Sequence, residues 1–288
     1  MSALKDRHML NTIEQNMAEI APYRKPALFS EFLVKGYTAI TLSFVSEAKF
    51  SELLRAKVCL GTLITLYDDF ADRPTQNNPH LLEILYQLNF GRRDSVRSLN
   101  PRDHHVVEFA KSLFTELEDI LIRQPHYRTL REILDFDLKQ FYSANQYSSL
   151  VMSNPHMKNI LENRLYAHHN MGMIMVGMMD LMACERIDFL EFGAIREVLL
   201  LGQRMGRIFN VLTTHNREAI DGDITGELAT CANKIEIEIA KQELRQEIQD
   251  LHNKMRGFNT RITTFSVDSY LEGLTAVQKL HEKMEGTI

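Results

Sequence analysis

The sequence has no tryptophan and only three cysteines, seven prolines and 13 glycines among its 288 residues. Three widely spaced cysteines in apolar surroundings argue against a disulfide framework and against a zinc site, and are typical of a protein in the reducing cytoplasm. The scarcity of proline and glycine argues against a flexible linker, since no segment rich in these residues divides the chain. We therefore expect one cytoplasmic domain without disulfides.

The chain also lacks an excess of basic residues and any long apolar run. Its formal net charge is −5, which does not favour a nucleic-acid partner. The first 20 residues lack the unbroken apolar stretch of a signal peptide. The most apolar window, 171–181, is too short to cross a bilayer, so we predict no membrane span.

Helical periodicity dominates what remains, because apolar residues recur three and four positions apart and strand-like alternation is scarce. The pattern predicts a single all-α domain of about ten helices over 1–288, with 1–25 as an N-terminal segment that can be mobile. The predicted helices are 4–20, 46–70, 79–90, 104–122, 127–147, 155–182, 188–216, 227–256 and 261–284.

The run 235–255 alternates in charge and carries an apolar stripe at helical spacing. Such a stripe fits a solvated helix that packs one face on the core, and it also fits a coiled coil with a partner. The first interpretation is favoured, and the second stays open at this point.

The stretch "TLITLYDDFADRP" places three aspartates at the end of an apolar helix. Asp68 and Asp72 are four residues apart and share a helix face, whereas Asp69 is turned away by about 100°. Two carboxylates one turn apart can bind a hard cation such as Mg²⁺. The alternative is a solvated acidic helix end, although aspartates at a helix C-terminus oppose the helix dipole.

A second polar stripe lies in "FNVLTTHNRE", where Asn210, Thr214 and Glu218 follow one another at intervals of four. An amide oxygen, a hydroxyl and a carboxylate in line are suitable ligands for a hard cation. They could equally form the polar face of a surface helix. The strongly apolar segment before them indicates a buried helix instead, on which polar groups need specific partners.

A third element is "ENRLYAHHNMGMIMVGMMDLM", in which Arg164 opens an otherwise apolar segment. A guanidinium suits phosphate oxygens, although an arginine at a helix start is often a surface residue. The methionines fit a core better than a cofactor site. Gly172 and Gly177 weaken the helix and allow a close approach or a local break.

Together these motifs resemble class I terpene synthases over the whole length of the chain. In that family an aspartate-rich motif and an "(N/D)Dxx(S/T)xxxE" motif on a facing helix hold three Mg²⁺ ions, which bind the diphosphate of a prenyl substrate. The resemblance implies an all-α helical barrel and a set of metal ligands. These ligands are Asp68, Asp72, Asn210, Thr214 and Glu218, with Asp69 in a supporting role.

The resemblance also implies two catalytic arginines that contact the diphosphate. Arg217 precedes the glutamate of the second motif, and Arg164 precedes Asn210 by 46 residues, which is the spacing of the family's diphosphate sensor. Two departures stand out. Val211 replaces an aspartate that is not an essential ligand, and the C-terminal Arg-Tyr pair is missing, since Arg261 and Tyr270 lie apart.

Within the family the chain looks most like bacterial ent-kaurene synthases of gibberellin-type gene clusters, which convert ent-copalyl diphosphate. The alternatives are another diterpene or sesquiterpene synthase that uses a linear prenyl diphosphate, a chain-elongating prenyl synthase, and a catalytically inactive helical binding protein. The assembly state stays open, with a homodimer as one option.

Helical offsets from the motif residues predict which side chains face the hydrocarbon of the substrate. The alternative for each of them is an ordinary core position. The predicted pocket residues are Gly61, Ile64, Thr65, His168, Met171, Gly172 and Met175.

Overall fold

A computed structural model describes residues 2–73, 75–89 and 99–285 of the protein, with side chains from residue 7 onward. Within these ranges the chain is helical and contains no strand, so the predicted all-α class is confirmed. The α-helices are α1 Ser2–Ile20, α2 Val34–Ala39, α3 Glu47–Asp72, α4 Pro79–Asn89, α5 Pro101–Leu121, α6 Tyr127–Ser153, α7 Ile160–Tyr166, α8 Met173–Ala183, α9 Phe192–Asp221, α10 Lys234–Arg256 and α11 Val267–Lys283. Residue 90, the predicted end of the helix over 79–90, lies outside the described residues.

The long helix α3 runs through the interior and packs against α1, α4, α5, α6 and α8. Because it is surrounded, it is buried on nearly every face rather than along one stripe. Lys57 in its middle is fully buried, and its Nζ lies 2.8 Å from Oδ2 of Asp180 on α8. The same carboxylate oxygen accepts the backbone N–H of Leu42 at 3.0 Å. This buried pair therefore fixes the position of α8 and of the segment after α2 relative to α3.

The helix predicted over 155–182 is wrong as one continuous element. The chain forms a 3₁₀ turn at Pro155–Met157, then α7, a second 3₁₀ turn at Ala167–Met171, and finally α8. The break falls at Gly172, whose φ of +62° is a left-handed conformation that side chains with a Cβ rarely adopt. Beyond the break, Gln203 of α9 accepts the free N–H of Ile174 at 3.1 Å.

A helical segment that the periodicity missed lies between α1 and α3. It consists of a π-helical turn, Leu28–Leu33, followed directly by the short helix α2. Tyr37 of α2 packs so closely on α3 that a Cβ on Gly61 would lie 2.4 Å from its hydroxyl oxygen. The glycine is therefore required by this close approach of the two helices.

The two chain segments with open interpretations both pack on the core. In α10 only Leu244, Ile248 and Met255 are buried, and the helix lies against α9 and α11. This matches a solvated helix with a core stripe. Helix α1 buries Ile13 and Met17, although the mobility of 1–25 stays a prediction. Among the described helices, none combines the length and the apolar character needed to cross a bilayer.

Candidate active site

The acidic motif lies at the C-terminal end of α3, where Asp69 forms the closest ion pair of the three aspartates. Arg24, from the segment between α1 and the π-helical turn, places Nη2 2.7 Å and Nε 3.1 Å from Oδ1 of Asp69. The Asp69 side chain is only 3% exposed, so this ion pair satisfies a charge that would otherwise be buried alone. Asp69 thus holds Arg24 by hydrogen bonds, while Asp68 lies farther from the same guanidinium at 3.8 Å, which is consistent with a supporting position for Asp69.

Asp68 and Asp72 instead line a cavity and crowd each other. Burial raises the pKa of the Asp68 carboxyl, against the opposing effect of Arg24. Burial also raises the pKa of Asp72 well above its usual range, and the charges of Asp68, Asp223 and Asp69 raise it further. Burial and mutual repulsion both disfavour negative charge on this pair, and a cation bound beside them would offset that cost.

The side-chain amide of Asn170 orients Asp68. Its Nδ2 donates to Oδ1 of Asp68 at 2.6 Å, and its own Oδ1 accepts from Nδ2 of Asn145 on α6 at 2.6 Å. Both asparagines are buried. This chain of amides was missed from the sequence, although a polar residue in a methionine-rich run is a signal that could have found it.

The second motif lies on α9 opposite the aspartates. The hydroxyl oxygen of Thr214 lies 2.5 Å from Oε1 of Glu218 and 2.8 Å from the carbonyl oxygen of Asn210. Burial raises the pKa of Glu218, while Arg207 opposes that rise. Asn210 and Glu218 line the same cavity as Asp68 and Asp72, whereas Thr214 lies just behind them. The structure therefore brings the two predicted metal-binding motifs to one place.

Two arginines of α9 present unsatisfied donors at this cavity. Arg207 donates from Nη1 to Oδ1 of Asn210 at 3.3 Å, and Arg217 lies 3.2 Å from Oδ2 of Asp221. The Nε atoms of both arginines are buried without a hydrogen-bond partner. Arg217 is a predicted site residue. Arg207 was missed, although it is one helical turn before Asn210 in an apolar run, where a buried cation calls for an anion.

The turn after α9 adds two further carboxylates that sequence reasoning missed. Gly222 has a φ of +79° and ends the helix, so the chain turns back across the cavity. Asp221 lies 3.3 Å from Nη1 of Arg73, and Asp223 raises the pKa of Asp68, Asp72 and Glu218 through its charge. The "DGD" at the end of a predicted helix was the available signal.

The cavity between these motifs has a volume of about 170 Å³. Six carboxylates and four guanidinium groups line it, so acidic groups exceed basic groups by two. Its remaining wall is mostly apolar. The apolar lining residues are Leu28, Phe32, Leu33, Tyr37, Ile40, Ile64, Met171, Met173 and Val277, and the polar wall includes His281. The cavity thus combines an apolar wall with a strongly charged one.

Four of the predicted pocket residues line this cavity and three do not. The lining ones are Gly61, Ile64, Thr65 and Met171. His168, Gly172 and Met175 are not among the lining residues, because they were counted along one helix and the chain instead forms α7, a 3₁₀ turn at Ala167–Met171 and α8. Met175 is 1% exposed and belongs to the core. For these three residues the structure favours the alternative of an ordinary structural position.

Arg164 also lies away from the cavity. Its Nε is 2.9 Å from Oε1 of Glu227, and its side chain is 52% exposed. The opposite oxygen of Glu227 pairs with Arg204 of α9 at 3.0 Å. Helix α7 is short and is tied to the segment after α9, where Asn163 donates to the carbonyl of Thr225 at 2.6 Å. Contact between Arg164 and a diphosphate stays a prediction, and it requires the guanidinium to leave Glu227.

A larger cavity of about 570 Å³ lies among α3, α4, α5 and α6. Its lining is mainly apolar, with charged groups such as Glu118 and Arg131 at the rim. None of its lining residues belongs to either motif. We therefore assign the functional site to the smaller cavity, because the ligand chemistry is concentrated there.

The oxygen donors of the two motifs suit a divalent cation. Within the described ranges no three Asp, Glu, His or Cys side chains converge as a ready-made metal cluster. The oxygen donors of α3 and α9 nevertheless face one cavity, where burial and neighbouring carboxylates raise the pKa values of Asp72 and Glu218. Carboxylate, amide and hydroxyl oxygens are the ligands that Mg²⁺ accepts. The residues present therefore fit Mg²⁺ shared between the two helices.

Comparisons with known proteins place the fold. No protein-family model matches the sequence, and no curated protein matches it. Among solved structures, the chain is similar to isoprene synthase from grey poplar leaves (Populus x canescens) in complex with three Mg²⁺ ions and dimethylallyl-S-thiolodiphosphate. That match has a TM-score of 0.64 at 13% identity and covers 95% of this chain and 54% of that chain.

A second structure of the poplar isoprene synthase matches with a TM-score of 0.64 at 12% identity, over 95% of this chain and 53% of that one. The chain thus spans about half the length of the structures it matches. At such low identity the similarity establishes the fold. The helical fold predicted from the sequence motifs, that of class I terpene synthases, is therefore the fold of this chain.

Proposed function

We propose that the protein is a Mg²⁺-dependent class I diterpene synthase that ionises a prenyl diphosphate and cyclises the carbocation, with ent-copalyl diphosphate as substrate and ent-kaurene and diphosphate as products. The observation that carries the proposal is the meeting of two oxygen-donor motifs, on α3 and α9, at one cavity with an apolar interior. A fold shared with isoprene synthase supports it.

Three Mg²⁺ ions are the expected cofactors, held by Asp68 and Asp72 on one side and by Asn210, Thr214 and Glu218 on the other. When bound, Mg²⁺ supplies positive charge that neutralises these carboxylates and stabilises the departing diphosphate. The poplar enzyme, whose complex contains three Mg²⁺ ions and a diphosphate analogue, supports this assignment.

The chain's own residues perform the remaining tasks. Arg207 and Arg217 have buried donors without partners, and hydrogen bonds from them would stabilise negative charge on the diphosphate. Arg24 keeps Asp69 paired, so this carboxylate does not compete with the diphosphate for the other positively charged groups of the site. The apolar wall excludes water, which would otherwise quench the cation before it rearranges.

The size of the cavity favours a second candidate, a synthase acting on a linear prenyl diphosphate. A volume of about 170 Å³ is below the roughly 300–1,000 Å³ of typical ligand sites. A polycyclic C20 substrate would need the flexible side chains of Met171 and Met173 to move aside. A linear, shorter chain would need less rearrangement, so the two candidates differ in the space that each demands.

Product analysis separates the candidates. The purified chain is incubated with Mg²⁺ and, in parallel, with linear C10, C15 and C20 diphosphates, ent-copalyl diphosphate and the other copalyl isomers. Diphosphate release is measured, and the hydrocarbons are identified by gas chromatography. ent-Kaurene from ent-copalyl diphosphate alone would support the first candidate, and cyclic products from a linear substrate the second. Lengthened prenyl diphosphates would indicate elongation, and no release from any substrate would indicate a binding protein.

A cytoplasmic location stays a prediction, and the assembly state stays open, with a homodimer as one option. The small-molecule substrate requires neither a nucleic acid nor a membrane anchor as partner.

A further inference from the structure

One histidine of α11 lies in the wall of the cavity and has no part in the metal-binding motifs. His281 is 3% exposed and lines the cavity together with Val277, one helical turn earlier. Its ring packs edge-on against Phe32 at 4.8 Å between centroids and lies 6.1 Å from the ring of Phe209. A basic nitrogen is thus held beside two aromatic rings, and one of them, Phe209, directly precedes Asn210 in the sequence.

The hydrogen bond at one ring nitrogen fixes which nitrogen is basic. Nδ1 of His281 lies 2.9 Å from the carbonyl oxygen of Val277. A carbonyl oxygen only accepts, so Nδ1 carries the hydrogen, and the lone pair of the neutral ring is on Nε2. In the part of the chain that the structure describes, no group forms a hydrogen bond with Nε2. Burial lowers the pKa of His281 to about 4, so the ring is neutral at pH 7.

We propose that Nε2 of His281 is the base that removes the proton ending the carbocation sequence, an assignment that rests on the proposed function. In this step the C–H bond next to the cationic carbon breaks, and its electron pair forms the carbon–carbon double bond of the product. The proton moves to Nε2 and gives an imidazolium. That proton then passes to the diphosphate as the site opens, which restores the neutral ring.

The other proton acceptors of the cavity are less suitable. The six carboxylates pair with arginines or belong to or adjoin the predicted metal-binding motifs. Tyr37 is a buried phenol whose pKa is raised by burial, so its oxygen holds its hydrogen. A neutral imidazole is a sufficient base here, because the protons next to a carbocation are very strongly acidic.

The test compares His281→Phe and His281→Gln with His252→Phe, a matched change on α10 outside the cavity. The phenylalanine keeps an aromatic ring next to Phe32, and the glutamine keeps a polar group without a basic nitrogen. Each variant and the wild type receive Mg²⁺ and whichever C10–C20 diphosphate the wild type converts. Diphosphate release and the product spectrum are recorded separately, and circular dichroism checks the fold.

Ionisation precedes proton removal, so we expect both His281 variants to continue releasing diphosphate. The fraction of product that is the wild-type olefin should fall at least about tenfold, with alcohols and isomeric olefins in its place. His252→Phe should keep the wild-type spectrum. An unchanged spectrum in a folded His281 variant would overturn the assignment and leave the proposed function intact. No diphosphate release from the wild type would overturn the proposed function itself.

Discussion

The side-chain amide of Asn170 donates a hydrogen bond to Asp68, with Nδ2 2.6 Å from Oδ1, and thereby fixes one carboxylate of the acidic motif from a different segment of the chain. Groups that orient a metal ligand typically contribute 10–100-fold to metal affinity. We therefore expect Asn170→Leu to weaken Mg²⁺ binding by about that factor while the chain stays folded. The measurement is the rise in melting temperature on adding Mg²⁺ with inorganic pyrophosphate.

Asn154→Leu is the matched control for that experiment, because Asn154 is an exposed asparagine at the end of α6. It should respond to Mg²⁺ and pyrophosphate as the wild type does. Equal Mg²⁺ dependence in Asn170→Leu and wild type would contradict an orienting role for Asn170.

Replacing Asp72 by Asn should remove turnover without destabilising the metal-free protein. Burial and three neighbouring aspartates oppose the charge of Asp72, so a neutral isostere relieves repulsion. The melting temperature without Mg²⁺ should be unchanged or higher, and the stabilisation by Mg²⁺ should be lost. Calorimetry with and without Mg²⁺ checks this, with Asp119→Asn on the exposed face of α5 as control. Retained turnover would rule out the assigned ligand role. Asp68→Ala and Glu218→Ala should likewise lose turnover and keep or raise the melting temperature without Mg²⁺.

Arg164→Lys tests whether this side chain leaves Glu227 to contact the substrate. Lysine can keep the ion pair but loses the planar fork, so diphosphate release should slow by at least about tenfold, or 1.4 kcal/mol. Arg128→Lys at an exposed position of α6 is the control. A wild-type rate would show that Arg164 acts only through its pairing at the surface.

Met171 and Met175 form a matched pair that separates pocket from core. Met175→Ala should cost roughly 2–5 kcal/mol of unfolding free energy and leave the product ratio unchanged, because the residue is buried outside the cavity. Met171→Ala removes part of the cavity wall. It should shift products toward alcohols and toward olefins formed early in the carbocation sequence. Denaturant unfolding and product analysis check both. The same product ratio in the two variants would mean that Met171 is not a pocket residue.

Glu191 should make the stability of the fold depend on acid pH. Slight burial acts to raise the pKa of Glu191, but hydrogen bonds from the amides and hydroxyls of Thr263 and Thr264 outweigh it and lower the pKa to about 2. A carboxyl with a lowered pKa stabilises the fold above its unfolded-state value. That contribution is lost as the pH falls from about 4.5 toward 2.

Glu191→Gln should therefore lower the free energy of unfolding at pH 7 by about 1 kcal/mol, a value reduced for the exposure of the site. The stability of the variant should also change less between pH 4.5 and 2. Urea unfolding across this range is the measurement. If the free energies of unfolding of the two proteins change with pH in parallel, the lowered pKa assigned to Glu191 is wrong.

The fold was largely predictable because long amphipathic helices place apolar residues three and four positions apart in the sequence. The break at Gly172 was not predicted as a helix end, since a glycine inside a helical pattern is compatible with a continuous helix and the residues after it, Met173–Ala183, are mostly apolar and carry no period. The segment Leu28–Ala39 was missed for a similar reason: a π-helical turn followed by six helical residues is too short to show a stripe.

In the site, residues within one motif were predictable because they repeat at helical spacing. Those that depend on tertiary structure were not. Arg24 reaches Asp69 across 45 positions and Asn170 reaches Asp68 across 102, so no local pattern relates them. The predicted pocket residues His168, Gly172 and Met175 were counted from Arg164 along one continuous helix, whereas the chain forms α7, a 3₁₀ turn and α8 there.

The surplus of two acidic groups over basic ones at the mouth of the cavity has a thermodynamic consequence. A diphosphate arriving alone meets net negative charge, and cations arriving alone leave the Nε donors of Arg207 and Arg217 without a hydrogen-bond partner. On the proposed function each ligand thus raises the affinity for the other, and reciprocity requires the two factors to be equal, commonly about 5–150-fold. Occupancy of the site then follows the concentrations of both ligands jointly, so that neither fills it at low concentration without the other.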